Sequence, residues 1–179
     1  METSRVDHLR ALSARAVPEV AAYLARRRYP LSSTDVEDLV EEVLEIAWRR
    51  LDDIPPEAEV AWMIGVARNV LNNARRKNSR RRAFESRLPR SHDEASAEDE
   101  TLPDLQLRAA LAALRDADRE ILLLHYWEGQ SADELAIALG TSSGAAATRL
   151  SRATDRFRSS YAHLSADSDK NLATRTGMG

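Results

Sequence analysis

Asn69, Asn72, Asn73 and Arg76 fall at i, i+3, i+4 and i+7 of a segment whose apolar residues recur at helical spacing. They therefore share one helix face, turned away from Met63, Val66, Ala67, Val70 and Ala74, which form the expected inner stripe. Asparagine is a mediocre helix former, because its amide competes for backbone hydrogen bonds. Three of them beside Arg68, Arg75, Arg76 and Lys77 suggest a polar task. Amides offer paired donors and acceptors to base edges, while the cations neutralise phosphates. Trp62 supplies either core area or a stacking plane. Such a surface suits an unstacked base, whose whole pairing edge is exposed, better than an intact duplex.

A second face precedes it. The helix expected from Asp35 to Leu51 carries Asp38, Glu41, Glu42 and Glu45 outside, with Val36, Leu39, Val40, Val43, Ala47 and Leu51 inside. Such charge is either a solvated face or a dock for a basic protein surface, with Trp48 as anchor. Thr34 to Glu37 has the spacing of a capping box at its start.

A third signal lies near the C-terminal end. In "SADELAIALGTSSGAAATRLSRATDRFRSSY", Leu135, Ala136 and Leu139 form an apolar edge, and Gly140 supplies a turn needing positive φ. Thr141 or Ser142 caps the next helix. That helix presents Thr148, Arg149, Arg152, Arg156 and Arg158, a basic face suited to a major groove. The bland alternative is a helical hairpin with solvated arginines.

The elements that must position these faces are all helical. Hydrophobic residues make up 43% of the 179 and aromatics only 5%, so the core is mainly aliphatic. The net charge of −3 hides a sharp switch: residues 68–90 hold nine Lys/Arg against one Glu, whereas residues 91–104 hold six Asp/Glu and no Lys/Arg. Two small helical domains, 1–82 and 104–163, joined by a flexible acidic linker over 83–103 and followed by a disordered polar tail over 164–179, are expected. The C-terminal helices are expected near 104–115, 117–127, 132–139 and 143–162. The chain has no cysteine, which suits a reducing cytosol, and no apolar run approaching the ~18 residues of a membrane span. His8, His92, His125 and His163 are scattered without a metal-ligand pattern, so no catalysis, cofactor or metal is expected.

Three motifs in order resemble the extracytoplasmic-function sigma factors of bacterial RNA polymerase. "EDLVEEVLEIAWRRL" resembles the family's polymerase-binding helix, E-D-L-V-Q-E-x-F-x-x-x-W. "AWMIGVARNVLNNARRKNSRR" resembles its promoter-melting segment, A-W-L-x-x-I-A-R-N-x-x-x-D-x-x-R-R. "DREILLLHYWEGQSADELAIALGTSSGAAATRLSRA" resembles its C-terminal helix-turn-helix domain. The resemblance implies a non-enzymatic cytoplasmic protein, carried to the nucleoid by polymerase, that directs transcription initiation. It implies that Asp38, Glu41, Glu42, Glu45 and Trp48 meet the clamp helices of the largest polymerase subunit. Trp62, Arg68, Asn69, Asn72, Asn73, Arg76 and Lys77 would handle the −10 element, and Ser142, Thr148, Arg149 and Arg152 the −35 element. It further implies an anti-sigma partner. Asn73 stands where the family often has Asp, Ser142 where it has Pro, and Ala147 where it has Lys or Arg, so one basic −35 contact of the pattern is missing. The rival reading is a helix-turn-helix regulator of duplex DNA that never docks on polymerase; it gives no reason for the acidic helix followed by the Asn-rich basic one.

Overall fold

The computed structural model describes residues 2–27, 31–85 and 102–176. They form seven α-helices: α1 (Glu2–Arg27), α2 (Ser33–Arg49), α3 (Glu59–Glu85), α4 (Leu102–Ala112), α5 (Asp116–Tyr126), α6 (Ala132–Leu139) and α7 (Ser143–Thr176), with a 3-10 turn at Leu51–Asp53. No strand occurs among the described residues. Two compact units result. The first gathers α1, α2, α3 and α6; the second gathers α4, α5 and α7.

In the first unit, α1 buries Leu12, Ala16, Val20, Tyr23 and Leu24, a stripe at mostly four-residue spacing. Pro18 is carried inside this helix. Against the stripe lie Val36, Leu39, Val43 and Ala47 of α2, and Ala61, Met63, Ile64, Ala67, Val70 and Leu71 of α3. Val66 and Ala74, expected on the inner stripe of α3, are only half-buried, because Ile64 and Leu71 shift the buried face around the helix. The capping box of α2 also differs from expectation. It is formed by Ser32 and Asp35, two residues before the Thr34–Glu37 frame that fits the same pattern. The Asp35 N–H donates to Ser32 Oγ at 3.2 Å, and the Ser32 N–H donates to Asp35 Oδ2 at 2.7 Å.

α6 is capped twice. Ser131 and Glu134 form a complete capping box at its start. At its end Gly140 sits at φ 63°, the Gly140 N–H donates to Ile137, and the Thr141 N–H donates to Ala136. This is a Schellman stop, which requires the left-handed conformation that glycine adopts without steric cost. α6 lies on α3 where Gly65 removes the side chain: a Cβ there would stand 2.9 Å from the Ala138 carbonyl oxygen.

In the second unit α7 lies against α4 and α5. Residues 164–176, read from composition as a disordered tail, continue α7 to Thr176. Leu164 is half-buried, and Ser165 Oγ donates to Gln106 Oε1 on α4 at 3.4 Å, so α7 is supported past Tyr161. The expected linker, 83–103, falls outside the described residues except at its ends, where 83–85 close α3 and 102–103 open α4.

Candidate functional site

On α3, Asn69 and Asn73 are exposed and Asn72 is half-buried. Arg76 joins Asn72 and Asn73: its Nε donates to the Asn72 carbonyl and its Nη2 to Asn73 Oδ1, both at 3.2 Å. A guanidinium has donors only, so the Asn73 amide must turn its oxygen to Arg76 and is left with its NH2 for an outside acceptor. Arg76 and Lys77 are exposed cations beside this amide row. The other two expected cations are differently used. Arg75 donates to the Arg27 carbonyl at the end of α1, and Arg68 is half-buried with its Nε out of contact with solvent. The Arg75 guanidinium is thereby engaged within the fold. Trp62 is half-buried, with the Arg50 guanidinium 5.5 Å from its ring centroid, so its face already carries a cation–π partner.

The acidic side of α2 presents Asp38, Glu41, Glu42 and Glu45 to solvent as one stripe. Glu45 reaches Arg49 at 3.6 Å. Trp48, at the end of this stripe, is half-buried beneath Arg5, whose guanidinium lies 5.3 Å from the ring, donates to the Trp48 carbonyl at 3.2 Å and pairs with Asp52 at 2.5 Å. Nothing in its sequence neighbourhood signals this cover from α1.

The two faces meet at a cleft of about 280 Å³ between the start of α2 and the second half of α3. Asp35 and Asp38 line one wall, Lys77 and Arg81 the other. The backbone N–H and hydroxyl of Ser32 hold the Asp35 carboxyl below its ordinary range, with a smaller contribution from Arg81. At the start of α3, burial pushes the Glu59 carboxyl up, but hydrogen bonds from Arg15 and His8 outweigh it and leave the group below its usual value.

On α7, Ser142 immediately precedes the first turn and is exposed, as are Thr148, Arg149 and Arg152. Thr148 Oγ1 donates back to the Gly144 carbonyl at 2.8 Å. Arg156, expected on the same basic face, is diverted: its Nη1 donates to Asp118 Oδ2 on α5 at 2.7 Å. Asp118 is a buried acid that sequence reasoning passed over. Its signal was present, since Asp118, Ile121 and Leu122 fall at i, i+3 and i+4 of the buried stripe of α5.

Comparison with known proteins fits this arrangement. The family model for sigma-70 region 2 matches residues 12–81, and that for sigma-70 region 4 matches residues 104–156. The ECF RNA polymerase sigma factor SigL of Mycobacterium tuberculosis is 32% identical, over 73% of this chain and 79% of its own length. A probable RNA polymerase sigma factor of Xanthomonas campestris, RfaY, is 34% identical over 65% of this chain, which spans only 32% of that protein. Among solved structures, the sigma factor RpoE from Bartonella quintana, in complex with the anti-sigma factor NepR, superposes with a TM-score of 0.52 at 25% identity, covering 89% of this chain and 94% of that one. The chain belongs to the RNA polymerase sigma factors, in their extracytoplasmic-function group.

Proposed function

We propose that this sigma factor docks on core polymerase through the acidic stripe of α2, captures an unpaired base of the −10 element on the amide row of α3, and reads the −35 element with the first turns of α7. The observation that carries the reading is the adjacency in one unit of two exposed faces of opposite character, Asp38–Glu45 on α2 and Asn69–Lys77 on α3. A polymerase surface and a promoter strand would thereby be engaged by one compact unit.

Breaking stacking and pairing costs a few kcal/mol per extruded base. Docking on polymerase presents the second DNA contact at raised effective concentration, which offsets part of that cost. A face that binds only the extruded base then shifts the duplex towards its open form by its differential affinity. The Asn73 NH2, with its oxygen held by Arg76, is a donor that needs no reorientation when the base arrives. The factor performs no covalent step; polymerase makes the RNA. It works where polymerase and DNA are, in the cytoplasm, and no described helix is long and apolar enough to cross a membrane. A regulatory partner of the anti-sigma class fits the likeness to the RpoE–NepR structure.

The test is transcription from genomic DNA by core polymerase with and without the purified chain. Discrete starts that depend on the chain are expected; an unchanged start map would remove the reading.

A further inference from the structure

Two residues of α7 are buried among those described, and both are alanines, Ala146 and Ala153. Alanine permits close approach but offers no projecting shape, so these two fully buried positions resist rotation or sliding of α7 only weakly, and the half-buried Leu150 and Phe157 leave room for a polar contact to fix its roll. A directional contact across the α5–α7 seam is Arg156 Nη1 to Asp118 Oδ2 at 2.7 Å, across 38 residues of sequence. Its acid is firmly housed: the Asp118 side chain is 8% exposed, whereas the Arg156 side chain is 51% exposed. Arg149, Arg152 and Arg156 fall at i, i+3 and i+7 on one stripe, so fixing the last fixes the direction of the other two.

We propose that Arg156 is a positioning residue and not a DNA contact: its ion pair with buried Asp118 sets the roll and register of α7 on α5 and thereby aims Arg149 and Arg152. The proposal rests on the reading of α7 as the −35 helix. It divides the basic stripe in two, with DNA reading confined to the turns before Ala153.

Salt dependence separates aim from contact, because each phosphate contact steepens the fall of log affinity with log salt by about 0.9. Holoenzyme is reconstituted from core polymerase and the full chain. Its probe is duplex DNA that the wild-type holoenzyme enriches from a random library. Arg156→Met and Asp118→Asn are each expected to weaken binding to that DNA, roughly tenfold, with the wild-type salt slope retained. The Asp118→Leu/Arg156→Met double variant keeps the seam apolar, so it folds; it is expected to show the loss of either single change and not their sum. Arg152→Met serves as the contact control and lowers the slope. A reduced slope in Arg156→Met with Asp118→Asn at wild-type affinity would overturn the proposal, as would wild-type binding by all three variants. A wild-type chain that enriches no DNA overturns the functional reading and this inference together, before any variant is made.

Discussion

Gly65 of α3 and Ala138 of α6 touch backbone to backbone: a Cβ at position 65 would lie 2.9 Å from the Ala138 carbonyl oxygen and 3.0 Å from its Cα. Neither atom belongs to a flexible side chain, so an added methyl group must displace the helix. Overpacking of this kind costs about 1–3 kcal/mol, against the roughly 0.5–1 kcal/mol that replacing a mid-helix glycine by alanine returns. Gly65→Ala is therefore expected to speed amide exchange across residues 132–139 while leaving the protected amides of α1 unchanged. Undiminished protection of α6 would show that the seat tolerates a side chain.

The pH dependence of the first unit follows from Glu59. Its folded pKa lies below the ordinary value of 4.5, because the hydrogen bonds from Arg15 and His8 outweigh the opposing effect of burial. Its contribution is complete above that ordinary value and is lost as pH falls through the lower folded one. The Arg15 partner is half in solvent, so the contribution is at most about 1 kcal/mol. Glu59→Gln is expected to lower the thermal midpoint at pH 7 and to converge with wild type only as the pH falls through the lowered folded value. A difference that persists unchanged at acid pH would contradict the assignment.

Charge reversal tests the docking face. Glu41 and Glu42 are exposed and form no hydrogen bond among the described residues, so Glu41→Lys/Glu42→Lys is expected to leave the helix content intact. Like charges brought together at an interface cost several kcal/mol. Affinity for core polymerase is expected to fall about tenfold or more, with the larger effect at low salt. An unaltered binding isotherm would place the dock elsewhere.

How far this molecule is legible from its residues depends on the range of each interaction. The amide row and the acidic stripe are local periodicities, and 3.6-residue spacing places Asn69 with Asn73 and Glu41 with Glu45 without knowledge of any neighbour. The stop at Gly140 is likewise local. The frame of the α2 cap was not decided by pattern, because Ser32–Asp35 and Thr34–Glu37 both satisfy it. What escaped was nonlocal: Arg5 over Trp48, Arg75 on the Arg27 carbonyl and Arg156 on Asp118 join residues 38 to 48 positions apart. An exposed-looking arginine at helical spacing is thus a cation whose partner is chosen by packing. The continuation of α7 past Tyr161 escaped for the same reason, since the support for Ser165 comes from α4.

The measurement closest to the central claim is permanganate reactivity of promoter thymines in complexes formed with Asn69→Ala. Asn69 is exposed on α3 and its side chain makes no hydrogen bond among the described residues, so polymerase association is expected to match wild type. A bidentate amide–base contact is worth about 1–3 kcal/mol, so the open fraction should drop roughly fivefold or more. Thymine reactivity equal to wild type, at equal occupancy of polymerase, would contradict base capture by this face.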